Sequence, residues 1–164
     1  MFPEDIQTLA ASVIQAALVA GVMVSTAESC TGGLVSGSLT EVAGSSAVLD
    51  RGFVTYSNEA KTDLLGVADD LLARFGAVSE PVARAMALGA VARSRAAASV
   101  SVTGVAGPGG GSADKPVGLV HFAAVGPSGK VVHVERRFGD IGRDAVRLES
   151  VRVALDLLME AVTA

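Results

Sequence analysis

Val22-Met23-Val24-Ser25-Thr26-Ala27-Glu28-Ser29-Cys30-Thr31-Gly32-Gly33-Leu34-Val35 changes character twice. Its first part, through Ala27, is short and rich in β-branched residues, which suits a buried strand. Glu28 follows, then the small residues Ser29 to Gly33, and beyond them Leu34, Val35, Leu39 and Val42 recur at helical spacing. The stretch reads as a strand, a turn and a helix N-terminus, the unit from which α/β sheets are assembled.

The flanking sequence repeats that alternation. Upstream, Asp5 to Ala20 places Ile6, Leu9, Val13, Ala16, Ala17 and Ala20 at helical spacing, with Gly21 as a stop. Downstream, Gly52 to Ser57 is strand-like. Asn58 is a candidate N-cap for a short helix that carries Lys61 and ends near Gly66. Ser79-Glu80-Pro81 opens an alanine-rich helix reaching about Ser94, with proline in the first turn, where a missing N–H costs nothing. Ser99 to Thr103 returns to strand and runs into a loop of glycines, Gly104 to Ser112. Val117 to Val125 and Val131 to Phe138 follow as strands joined by Gly126-Pro127-Ser128-Gly129, a hairpin signal that makes part of the sheet antiparallel. Arg143 to Val162 closes the chain as a helix with Val146, Leu148, Val151, Leu155, Leu158 and Val162 inward. These elements predict a single domain over residues 1–164, an α/β fold: a three-layer α/β/α sandwich with a mixed, mostly parallel sheet of about five strands. In such sheets the ligand site lies beyond the strand C-termini.

Composition narrows the function classes. A formal net charge of -4 and an aromatic content of 4% without tryptophan argue against a sequence-independent grip on nucleic acid, which needs many cations and stacking surfaces. No apolar run is long enough to span a bilayer. The acidic start, Met1-Phe2-Pro3-Glu4-Asp5, lacks the cations of a secretory signal, so the expected address is cytoplasmic. One cysteine and two histidines exclude an internal disulfide and leave too few soft ligands for a structural zinc site; no metal is expected.

Several residues are placed for chemistry, each beside a plainer reading. Ser29, just before a helix, is a candidate nucleophile with the amides of Thr31, Gly32 and Gly33 as possible oxyanion donors; it equally reads as a helix cap. Cys30 is a stronger nucleophile if its thiolate is stabilised there, and otherwise a small buried hydrophobe. A serine needs a base. His121 and His133 both fall inside strands and read as satisfied sheet residues. Lys61, across a strand-helix junction from Tyr56, serves if burial lowers its pKa, although taken alone it reads as an exposed lysine on a short helix. The loop from Gly104 offers glycine amides, Gly107 and Gly109 among them, that can approach a phosphate or carboxylate, or it is a wide flexible connection. It lacks the Lys-Ser/Thr of a Walker A loop and no helix opens at Gly111, so it is not a dinucleotide fingerprint. Arg143 and Arg147, four apart on one helix face, suit a phosphate or are solvated.

Taken together, Thr26-Ala-Glu-Ser-Cys-Thr-Gly-Gly33, Tyr56-Ser-Asn-Glu-Ala-Lys61, Gly76-Ala-Val-Ser-Glu-Pro81 and Thr103-Gly-Val-Ala-Gly-Pro-Gly-Gly-Gly111 with Lys115-Pro-Val-Gly118 resemble the CinA C-terminal family in order and spacing. The resemblance covers nearly the whole chain and corresponds to a stand-alone form, without the molybdopterin-binding-like domain that precedes it in longer members. It implies hydrolysis of the carboxamide of nicotinamide mononucleotide to nicotinic acid mononucleotide and ammonia, with no cofactor. It assigns Ser29 as nucleophile, Lys61 as base and Tyr56 as an orienting or proton-relaying group. The oxyanion would fall to amides near Gly32 and Gly33, and the substrate phosphate to the loop containing Thr103, Gly104, Gly107 and Gly109, with Arg143 or Arg147. A pyridine-nucleotide-binding module without turnover, or a competence-associated interaction module, is the alternative. The expected partner is a small nucleotide, with no nucleic acid and no membrane, and a symmetric homo-oligomer is the expected assembly.

Overall fold

A computed structural model describes all 164 residues. The elements run α1 (Glu4–Ala20), β1 (Val24–Glu28), α2 (Leu34–Thr40), a short 3₁₀ turn (Ser45–Ala47), β2 (Leu49–Val54), α3 (Asn58–Leu65), α4 (Asp69–Phe75), α5 (Glu80–Ala92), β3 (Ala98–Gly104), β4 (Leu119–Val125), β5 (Val131–Arg137) and α6 (Arg143–Thr163). The strands form one sheet in the order β2-β1-β3-β4-β5. β1 pairs parallel with β2 and β3, while β4 is antiparallel to both β3 and β5. Only β4 is reversed, so the mixed, mostly parallel sheet is as expected.

Period-two alternation along the strands divides the core between two faces. Val24, Val100, Val102, Val120, Phe122 and Ala124 join Ile6, Val13, Leu155 and Leu158 in the main cluster, under α1, α2 and α6. Burying these side chains is the principal drive for closing that side, at roughly 1.5–3 kcal/mol for each large one. The opposite face is made of smaller residues. Ser99 and Ser101 donate their hydroxyls to the α5 carbonyls of Ala87 and Ala83 at 2.7 and 2.6 Å. Alanine and glycine on α5 let it lie close: a Cβ on Gly89 would sit 2.0 Å from the Leu65 carbonyl oxygen, so α3 and α5 touch through backbone.

Most element limits follow the sequence, with instructive exceptions. Gly21 and Gly66 end α1 and α3 in the left-handed conformation, as their positions suggest. The cap of α3 is Ser57, whose Oγ accepts the Ala60 amide at 3.0 Å, and Asn58 is already helical. β2 runs Leu49–Val54 and not Gly52–Ser57: the Thr55 amide makes the last bond to β1, on the Glu28 carbonyl, and two residues later Ser57 already caps α3. α4 has no counterpart in the periodicity reading; it covers one side of α5 with Leu72.

Candidate active site

The C-terminal ends of β1 and β3, and the chain leaving β2, converge on a cavity of about 210 Å³. Ser29 and Cys30 enter from the turn after β1, Tyr56 and Lys61 from the β2–α3 connection, and Arg143 from the first residue of α6. Ala77 and Val78, before α5, form one wall, and Thr103, Gly104 and Ala106 another. A larger, shallower groove of about 860 Å³ between α1 and α6 has no ionisable side chain in its lining, which leaves it without groups for acid–base chemistry.

At the cavity floor the Lys61 Nζ lies 3.0 Å from the Ser29 Oγ. The lysine side chain is 1% exposed, so the reading of an exposed lysine on a short helix is overturned; α3 turns that face inward. Its nitrogen donates to the carbonyls of Thr55 at 2.7 Å and Tyr56 at 3.4 Å. No carboxylate pairs with it, and burial lowers its pKa from 10.5 to about 8. An amine with two N–H groups on carbonyls has its lone pair left for the serine hydroxyl. The neighbouring Cys30 is different. It belongs to the main core cluster, and burial pushes its thiol up to about 11, which keeps it protonated and inert near neutral pH.

The turn carrying Ser29 is fixed from three sides. The Ser29 amide donates to Val102 on β3, and the Gly32 amide donates back to the Ser29 carbonyl at 3.0 Å. Glu28, 1% exposed, caps α2 by accepting the Val35 and Ser36 amides at 2.8 and 3.0 Å. These bonds remove one of the expected oxyanion donors, Gly32. The Gly32 amide is already engaged, the Leu34 amide donates to the Thr31 carbonyl, and those of Val35 and Ser36 meet Glu28. Within the turn, the amides of Cys30, Thr31 and Gly33 donate to no protein acceptor.

Other expected site residues are placed as follows. The Tyr56 hydroxyl meets Arg143 Nη2 at 3.1 Å and touches neither Lys61 nor Ser29; it is the Tyr56 carbonyl that reaches the lysine. A proton relay through that hydroxyl is therefore corrected to a contact at the cavity mouth. Arg143 also donates to the Gly107 carbonyl at 2.7 Å, tying the glycine loop to the wall. Gly107 and Gly109 do not line the cavity; Gly107 is packed on Val117 and Gly109 faces open space. The Thr103 hydroxyl is held by the Ala77 carbonyl at 2.9 Å. Arg147 is not presented to a phosphate, since it donates to the carbonyls of Cys30 and Thr31. Glu28, Ala77, Val78 and Ala106 had no role in the sequence reading. An acid at the end of a strand-like run, four residues before a glycine pair, is the one signal that pointed to Glu28.

Three comparisons with known proteins place the chain in a family. The model of the CinA C-terminal domain matches residues 6–162. The nicotinamide-nucleotide amidohydrolase PncC of Escherichia coli strain K12 is 48% identical over 161 residues, which is 98% of this chain and 96% of that protein. A CinA-like protein of Anaeromyxobacter dehalogenans strain 2CP-C is 54% identical over 142 residues, 87% of this chain but 34% of that longer protein. The crystal structure of the competence/damage inducible protein CihA from Agrobacterium tumefaciens superposes with a TM-score of 0.97 at 59% identity, covering 100% of this chain and 99% of that one. With the family model spanning almost every residue, the chain belongs to the CinA C-terminal domain family.

Proposed function

We propose that the protein is an amidohydrolase that converts nicotinamide mononucleotide to nicotinic acid mononucleotide and ammonia by a Ser29–Lys61 mechanism. The observation that carries this reading is the 3.0 Å contact between Ser29 Oγ and a buried lysine with no counter-ion. The name of the Escherichia coli relative, matched along almost its full length, supplies the substrate class.

Each step follows from the contacts. Neutral Lys61, its two N–H groups on the Thr55 and Tyr56 carbonyls, accepts the Ser29 proton as Oγ attacks the carboxamide carbon. The charge on the amide oxygen is met by the unengaged amides of Cys30 and Thr31. Lysine then gives its proton to the departing nitrogen, and ammonia leaves an acyl ester on Ser29. Water, deprotonated by the same amine, hydrolyses the ester and restores the hydroxyl. A cavity of about 210 Å³ fits the pyridine carboxamide and leaves the phosphate at the mouth, where the guanidinium of Arg143 stands.

Chromatographic product analysis tests the substrate class, with nicotinamide mononucleotide, nicotinamide riboside and free nicotinamide supplied in turn. The mononucleotide is expected to have the highest kcat/KM; a preference for free nicotinamide would refute the nucleotide assignment.

A further inference from the structure

In the turn Ser29–Gly32, the central residues Cys30 and Thr31 have negative φ and the Gly32 amide bonds to the Ser29 carbonyl at 3.0 Å, which makes it a type I turn. In such turns the third residue's N–H lies on the side of the first residue's side chain, the basis of hydroxyl-to-backbone turn motifs. The Thr31 amide therefore lies on the side of the Ser29 hydroxyl. What holds it there is on α6. Arg147 Nε donates to the Cys30 carbonyl at 3.1 Å and Nη2 to the Thr31 carbonyl at 3.4 Å. Because a trans peptide points its C=O and N–H in opposite directions, a carbonyl drawn to Arg147 turns the Thr31 N–H away from α6. The next peptide is held at both ends, its carbonyl by Arg147 and its Gly32 N–H by Ser29. A cation on the carbonyl side also polarises the same peptide and strengthens its N–H as a donor.

We propose that Arg147 is a positioning residue for amide hydrolysis, its guanidinium fixing the Cys30–Thr31 peptide so that the Thr31 amide receives the oxyanion formed at Ser29. The assignment rests on the amidohydrolase reading above. It replaces a phosphate-binding role, since Nε and Nη2 are spent on backbone carbonyls. A guanidinium is suited to the task because its fixed fork spans two carbonyls at once, whereas an ammonium presents a single point charge.

The test compares wild type with Arg147→Gln and Arg147→Lys in kcat, KM and pH profile. Beside turnover, it measures affinity for the product nucleotide and for a nucleotide carrying a boronic acid in place of the carboxamide, which forms a tetrahedral adduct with a serine. Arg147→Gln is expected to lower kcat roughly 100-fold, the scale of losing one oxyanion donor. KM and product affinity should stay within threefold, the alkaline rise of the pH profile should not move, and boronate affinity should fall with kcat/KM. Arg147→Lys should regain about tenfold, since the charge returns without the fork; if Arg147→Gln does not fold, Arg147→Lys decides by the same readouts. A kcat within threefold of wild type overturns the assignment, as does a loss confined to KM and product affinity. Wild-type protein that releases no ammonia overturns the amidohydrolase reading and this proposal with it; an active wild type with an unimpaired Arg147→Gln overturns the Arg147 role alone.

Discussion

Lys61 and the pair His121–His133 are nitrogen bases withdrawn from solvent on the α3–α5 side of the sheet, but their surroundings set them to different work. His121 Nδ1 and His133 Nε2 face each other at 2.9 Å, and their outer nitrogens lie 3.6 Å from Glu135 and 3.5 Å from Glu80. Burial lowers both imidazoles below 6.5, Glu80 and Glu135 pull the other way, and the two rings share one hydrogen bond. The pair ties β4 and β5 to the start of α5. Lys61 has carbonyls and a hydroxyl around it and no carboxylate, so its lone pair is made available by burial alone. Residue type would favour histidine as the base near neutral pH. Position decides otherwise: neither imidazole lines the cavity, and the lysine lies beside the serine.

The strongest way to break this contrast is to remove the serine. Ser29→Ala is expected to cost about 10⁴-fold or more in kcat, while Cys30→Ala, which removes an inert buried thiol, keeps turnover within about fivefold; steady-state kinetics on both variants checks this. The reverse pattern would reassign the nucleophile. Lys61→Ala should cost roughly 10³-fold with the fold retained, as read by turnover and circular dichroism.

Gly89→Ala attacks the lysine side through the backbone. The clash with Leu65 at the end of α3 outweighs the roughly 1 kcal/mol that alanine gains in a helix, for a net loss of about 2 kcal/mol in denaturant unfolding.

The pH dependence sharpens the comparison further. Below about 8 the Lys61 amine is protonated, so kcat/KM should fall about tenfold per pH unit there and level off above. In stability the sign is fixed by the lowered pKa: between about 8 and 10.5 the unfolded chain holds the proton and the fold does not, so this group's contribution rises with pH across that window. Both histidines are also lowered. Unfolded imidazoles take up protons first as pH falls through 6.5, and the contribution of the pair is lost on the acid side. The smallest effect is expected from His133→Gln, about 1 kcal/mol less stability at neutral pH with turnover within threefold. A large kinetic loss there would dissolve the distinction between the two bases.

What the sequence disclosed depended on the range of each interaction. Gly21, Gly66 and Pro81 punctuate helices through their own backbone limits, and the hairpin glycines do the same, so the layered fold was legible locally. β2 was misplaced by three residues at its C-terminal end because Thr55 and Tyr56 are as suited to a strand as their neighbours; the strand ends where Ser57 turns the chain into α3, a cap that residue type assigned equally to Asn58. α4 is seven residues long with a single buried leucine, too little for periodicity to register. Residues taken one at a time left Lys61 on the surface, since its burial is created by α3 packing. Four motifs read together brought it beside Ser29. Arg147 was out of reach for a different reason: its partners are backbone carbonyls at Cys30 and Thr31, which leave no trace in residue type.

Ammonia release from nicotinamide mononucleotide, followed across pH 6 to 10 for wild type and Ser29→Ala together, bears on both members of the dyad at once. Release is expected from the wild type alone, rising to a plateau above about pH 8 as Lys61 loses its proton. Folded wild type that releases none, or Ser29→Ala that matches it, would rule out a Ser29–Lys61 amidohydrolase.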